Sequence, residues 1–181
     1  MLRAIQGIDI VPAGAGERLI PPLDLLDRLS AAIARGLGVS CRVGRDALDV
    51  AFAEDALRRQ HYSTAILAAM PLPPAGRLTL AVTEADLYVP VLTFVYGEAQ
   101  LAGPRAIVSL HRLSERFYGQ PEDQAKLLER LEKEALHELG HTLGLRHCDN
   151  WRCVMASSHS VERLDLKEPR FCPNCAGRLR G

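Results

Sequence analysis

Apolar and polar residues follow regular rhythms along most of the chain and lose them near its C-terminal end. Residues 4–11 (AIQGIDIV) alternate, which predicts a half-buried strand. Pro21 and Pro22 then open a segment with Leu25, Leu26, Leu29 and Ile33 on one helical face, closed by Gly36 and Gly38. Residues 39–43 (VSCRV) read as a second strand. Residues 51–70 are Ala-rich and predict a largely helical stretch that stops at PLPP. Further strands are predicted over 77–83 (RLTLAVT), 92–96 (LTFVY, ended by Gly97) and 105–110 (RAIVSL). A long helix with Pro121 in its first turn runs to about Leu143, with Leu128, Leu131, Ala135 and Leu139 at helical spacing.

Strands alternating with helices predict an α/β fold, a single domain around a mixed, twisted sheet of about five strands. The short link between the last two strands predicts one antiparallel pairing, which puts a strand at an edge. The last forty residues are rich in Cys, His, Arg and Pro and poor in apolar runs. They are expected to form a small subdomain held by metal instead of a core. Residues 1–147 would then be an α/β subdomain carrying the long helix, and 148–181 the C-terminal one.

Composition narrows the function. The chain has 181 residues, 48% of them apolar, which suffices for a real core. Lys+Arg and Asp+Glu are both 22, so the net charge is zero. No basic excess points to nucleic acid or a membrane surface. No apolar stretch approaches the ~20 residues of a membrane-spanning helix. The start, MLRAIQGIDIVPAG, lacks the pattern of a signal peptide, so the expected location is the cytoplasm and the expected state a monomer.

Four of the five cysteines, Cys148, Cys153, Cys172 and Cys175, cluster near the C-terminus, and in a reducing compartment such clustering points to metal. Cys41 stands alone in an apolar context and reads as an ordinary half-buried thiol. The most informative segment is HELGHTLGLRH, residues 137–147. Residues four apart share a helix face, so His137 and His141 can present nitrogens to one ion. Glu138 follows the first of them and can take a proton from water at the open metal position. Gly144 tolerates a left-handed conformation, so it can end the helix and turn His147 back towards the same ion. Three neutral nitrogens leave a position open for water, the catalytic type of zinc site, where the ion acidifies water and polarises a carbonyl. The bland alternative is a helix with solvated His and Glu; the added Gly and third His make it remote. The four cysteines, two of them in a CPNC knuckle, could close a second, structural zinc site. Two disulfides, or a zinc ribbon on nucleic acid helped by Arg170, Arg178 and Arg180, are the alternatives for that cluster.

HExxHxxGxxH with a Met downstream resembles the metzincin clan of zinc metallopeptidases. The Cys after the third His, the CxxxxCxM run and the later CxxC resemble the archaemetzincin family more specifically. The FVYGEA and IVSLHRL segments are similar to that family as well. The resemblance implies that His137, His141 and His147 bind catalytic zinc and that Glu138 is the general base. It implies a second zinc on Cys148, Cys153, Cys172 and Cys175, and Met155 as the residue of the turn beneath the catalytic ion. Met155 and Cys172 are separated by 16 intervening residues, one fewer than in the family pattern. The resemblance also implies an extended peptide or protein substrate along an edge strand near 93–98, with a specificity pocket walled by residues 154–160 and the active helix.

The remaining candidates have plainer readings. His61 is expected at the surface, His111 as a strand cap or cleft residue, His159 as an exposed loop residue or an oxyanion stabiliser, and Tyr96 as packing. The function expected is a zinc-dependent peptidase; a zinc-stabilised peptide-binding module with little turnover is the alternative, disfavoured by the presence of Glu138.

Overall fold

A computed structural model describes residues 5–180. In chain order it holds β1 (Gly7–Gly14), α1 (Leu23–Leu37), β2 (Cys41–Val43), β3 (Leu48–Asp49), β4 (Glu54–Asp55), β5 (Gln60–Tyr62) and α2 (Ser63–Ala69). Then come β6 (Arg77–Thr83), β7 (Leu87–Tyr88), β8 (Gly97–Ala99), β9 (Arg105–Ser109), α3 (Gln124–Thr142), α4 (Val161–Asp165) and α5 (Pro173–Arg180).

The alternation read from the sequence divides the strands' side chains between two layers. Ile8 and Ile10 of β1, Leu78, Leu80 and Val82 of β6, and Ala106 and Val108 of β9 face α1 and α3. Ala13, Ala81 and Ile107 point the other way, onto Ile66 and Leu67 of α2. The main sheet runs β2-β1-β6-β9-β8, with β3 also pairing β1. All its pairings are parallel except β8 with β9, where Gly97 stands opposite Val108 and Ala99 opposite Ala106. The mixed sheet with an antiparallel edge is the expected one, with six strands where about five were predicted. The predicted strand at 4–11 begins at Gly7; Ala4 lies outside the described residues.

Four elements differ from the sequence reading. Residues 51–70 are helical only over Ser63–Ala69; upstream lie a single 3-10 turn and the hairpin of β4 and β5. The reason is tertiary. Asp55 Oδ1 accepts from the Leu57 and Arg58 N–H groups and makes the turn, and Arg59 takes a left-handed φ of 56°. Gln60 then donates to Asp86 and to the Thr93 carbonyl, both at 2.9 Å. These contacts outweigh Ala's helix preference. The same hairpin buries His61, expected at the surface, at 5% exposure in the small β4-β5-β7 sheet. Neither of its ring nitrogens has a partner among the described residues, and burial pushes its pKa down.

The strand expected at 92–96 is also absent. Leu92 N–H donates to the Val89 carbonyl in a turn, leaving Val91 and Leu92 exposed. Pairing resumes only at Val95, bridged to Leu87, so the edge strand β8 starts at Gly97. Gly36 lies inside α1; the helix ends at Gly38, where φ is 69° and the N–H donates to Ala34.

The long helix starts at Gln124, so Pro121, expected in its first turn, precedes it; the Asp123 carboxylate caps the Ala125 and Lys126 N–H groups. Its second half is unusual. From Arg130 to Gly140 nearly every residue is buried, including Lys133, Glu134, His137 and Glu138. One side of α3 faces the sheet; the chain beyond it covers the other, where Leu136, Leu145, Val154, Met155, Cys175 and Leu179 form a small apolar cluster. The C-terminal residues therefore have a core of their own, contrary to the expectation of a coreless tail. Arg130 clamps α4 by a bidentate pair with Asp165, both contacts at 2.7 Å, and donates to the Leu113 carbonyl at 2.8 Å.

Across the sheet, Asp9 of β1 is paired with Arg77 of β6 and Arg42 of β2. The Arg77 hydrogen bond, more than Arg42, lowers its carboxyl from 3.8 to about 2 against the opposing effect of burial. A carboxyl lowered in the folded state stabilises fully above its unfolded pKa, and the gain fades as pH falls towards the folded one. Asp9→Asn is expected to cost about 1–2 kcal/mol at neutral pH. The deficit relative to wild type should shrink between about pH 5 and pH 2 in denaturant melts. A pH-independent deficit would show that the pair does not carry it.

Candidate metal centres and cleft

The site is built at the C-terminal end of α3. His137 and His141 lie one turn apart. The His137 Nδ1 is 2.8 Å from the Val154 carbonyl and the His141 Nδ1 is 2.8 Å from the Leu145 carbonyl. A carbonyl only accepts, so both Nδ1 atoms carry hydrogen and both Nε2 atoms keep a lone pair. Those two Nε2 atoms are 3.1 Å apart. Two lone pairs at that distance, with no proton to share, repel unless a cation draws them together. Burial lowers the pKa of all three histidines, His137 most, which keeps them neutral as ligands must be.

His147 reaches the same place because the helix is broken by design of the backbone. Gly144 has φ of 86°, and Leu145 N–H donates back to the Gly140 carbonyl. The ring of His147 then lies 5.2 Å from that of His137 and 5.0 Å from that of His141, centre to centre. Among the described residues, the three histidines form one of two groups whose ligand atoms all lie within 4.8 Å of one another. The other is Cys148, Cys153, Cys172 and Cys175. All four thiols are free, so the disulfide alternative does not hold. Cys148 Sγ and Cys172 Sγ are 3.8 Å apart, close to the ~3.8 Å edge of a tetrahedron with ~2.3 Å metal–sulfur bonds. The Cys175 backbone N–H is the main influence that lowers Cys172 to about 7, towards the thiolate a metal requires. Both residue sets fit zinc.

Glu138 is buried beside the histidines. Burial pushes its carboxyl well above the usual range; Glu134 and Glu98 add to this and Lys167 opposes it. The edge strand passes so closely that a Cβ on Gly97 would lie 2.7 Å from Glu138 Cγ. An open cleft of about 690 Å³ joins these parts. It runs from Thr93–Ala99 past His137, Glu138, His141 and His147 to Ser157–His159.

The family model described as peptidase family M54 matches residues 74–181. The chain belongs to this family. It is 49% identical over 123 residues to the archaemetzincin of Methanocaldococcus jannaschii, covering 68% of each chain. Identity to the Pyrococcus furiosus archaemetzincin is 38%, over 95% of this chain and 91% of that one. The crystal structure of Archaeoglobus fulgidus archaemetzincin, solved with malonate, superposes with a TM-score of 0.82 at 36% identity, covering 95% and 99% of the two chains. The chain is thus a zinc metallopeptidase of the M54 family, acting on peptide or protein substrates.

Other residues considered from the sequence fall on either side of the cleft wall. Of residues 154–160, Ser157, Ser158 and His159 line it, while Val154, Met155 and Ala156 are buried beneath. Tyr96 touches the cleft but packs into the main core, edge to face with Phe94 at 5.2 Å. His111 lies outside it, exposed and edge to face with Phe117 at 5.2 Å. Cys41 is half-buried, and burial pushes its thiol up to about 11. Among the described residues no helix is long and apolar enough to cross a membrane. The sequence reading missed Glu134, Glu98, Arg146 and Lys167, which also line the cleft. Glu134 could have been found as a carboxylate one turn before Glu138 on the face that also carries His137 and His141. Lys167 offers no signal in the sequence.

Gly140 lies inside the helix, against the turn that carries Met155. A Cβ there would overlap the sulfur of Met155, which is fully buried, and come within 3.1 Å of Phe171. Gly→Ala inside a helix ordinarily stabilises by about 1 kcal/mol. Here Gly140→Ala is expected to lower the melting temperature instead, because Met155 has no room to yield. A raised melting temperature would show that the close approach does not constrain this helix.

Proposed function

We propose that the chain hydrolyses peptide bonds with Glu138 as general base, His137, His141 and His147 as ligands of a catalytic zinc, and Cys148, Cys153, Cys172 and Cys175 as ligands of a second, structural zinc. The observation that carries this reading is the pair of Nε2 lone pairs 3.1 Å apart, beside a buried carboxylate, in an open cleft. A zinc ion held there would supply Lewis acidity, acidifying water and polarising the scissile carbonyl. Glu138 takes the proton of the attacking water on its carboxylate and passes it to the leaving amine. The Val154 and Leu145 carbonyls hold the imidazoles in the ligating tautomer. The edge strand β8 can take an extended substrate by backbone pairing. Residues 148–181 act in this reading as a zinc-stabilised subdomain, in a monomer working in the reducing cytoplasm, where four free thiols suit a metal site.

Elemental analysis of protein purified without added metal should give two zinc ions per chain. Cys172→Ser should lose one of them and melt at lower temperature, because metal binding at a closed thiolate site contributes folding free energy. A single zinc in wild-type protein, unaffected by Cys172→Ser, would remove the structural site from the scheme.

Glu138→Gln should lower kcat by about 10²–10⁴-fold with zinc content unchanged, since the side chain is a base and not a ligand. Cleavage of a peptide mixture, followed by mass spectrometry, reads this directly. Wild-type turnover in Glu138→Gln protein would refute the base assignment, and wild-type protein that binds peptides without cutting them would favour the binding-module alternative.

A further inference from the structure

The cleft has a floor that hydrolysis does not use. Lys167 and Glu134 line it with side chains only 1% and 5% exposed, and Lys167 Nζ lies 3.5 Å from Glu134 Oε1. The ammonium also donates, at 3.3 Å, to the Val154 carbonyl, the same oxygen that accepts from the His137 ring. One shared acceptor therefore separates this ion pair from the histidine cluster, which puts it within reach of a substrate residue flanking the cleaved bond. Both partners have capacity to spare. An ammonium has three N–H donors, and two are directed at these long contacts. Among the described residues Glu134 accepts only from Lys167.

A buried ion pair is weak evidence of stabilisation, since apolar residues of similar volume do as well or better. Lining an open cleft, it makes a recognition surface. We propose that Glu134 and Lys167 form the specificity subsite for one substrate side chain flanking the scissile bond, and that the subsite takes a neutral carboxamide, Gln or Asn. This rests on the peptidase reading above.

Charge and hydrogen-bond complementarity select the class. A carboxamide oxygen accepts from Lys167 while its NH₂ donates to Glu134, so both spare capacities are filled. An acidic side chain would meet Lys167 but be repelled by Glu134, and a basic one the reverse. An apolar side chain would cover both charges and leave their spare hydrogen-bonding capacity unfilled, the penalty by which polar subsites reject analogues.

The test uses the zinc-loaded protein and peptides that differ only at the residues flanking one bond. Wild-type cleavage products should be enriched in Gln or Asn on one side of the cut, with kcat/KM for Gln at least about tenfold above Leu and above Glu. In the Glu134→Met/Lys167→Met double variant, which leaves no lone buried charge, that ratio should collapse to within about twofold. Binding of the same peptides to Glu138→Gln protein, measured by calorimetry, reads the preference without turnover. No Gln preference in binding, or a preference kept by the double variant, overturns the subsite. Preferential Gln binding without any cleavage by wild type would instead overturn the hydrolytic reading and leave the subsite standing.

Discussion

The hydrogen bond from the His137 ring to the Val154 carbonyl is the constraint on which the rest depends. It ties the central helix to a chain segment that arrives only after the helix has ended, turned at Gly144 and passed Cys148 and Cys153. It fixes the tautomer of His137 and thereby the direction of the free nitrogen. The same carbonyl receives Lys167, so one backbone oxygen organises a ring and an ammonium together.

Holding that oxygen in place requires α3 to be covered on both sides. The sheet supplies one cover through Leu131, Ala135 and Leu139; the C-terminal segment supplies the other through Val154, Met155, Cys175 and Leu179. A helix enclosed in this way must take its polar residues inside, and each is partnered there. Arg130 finds Asp165, Lys133 finds Glu129, and Glu134 finds Lys167. Glu138 is the exception, a carboxylate with no hydrogen-bonded cation among the described residues, and the cleft opens at that point. The small size of Gly140 and Gly97 lets Met155 and the edge strand approach the helix from below and above.

Sequence patterns failed where distant contacts competed with local preference. Residues 51–62 carry enough alanine to look helical, but Asp55 caps a turn at Leu57 and Arg58, and Gln60 has partners that only a hairpin can reach, in Asp86 and Thr93. His61 looks polar beside two arginines, yet its strand lies in a second sheet that periodicity gave no hint of. The apolar LTFVY run is spent on a turn and a lip of the cleft, and pairing shifts to Gly97–Ala99.

The sequence by itself determined the α/β class, the extent of the 77–83 strand, the antiparallel edge and the residue groups that gather into two clusters. These are written in local spacing: a period of two, a period of 3.6, His four apart, a glycine before the third His, a CxxC pair. The tertiary structure alone decided the tautomers, the burial of Glu138, the Glu134–Lys167 pair and the passage of β8 over the helix. Each of those joins groups remote in the chain, 33 residues apart for Glu134 and Lys167, and no local pattern encodes which remote groups meet when a helix is covered on both sides.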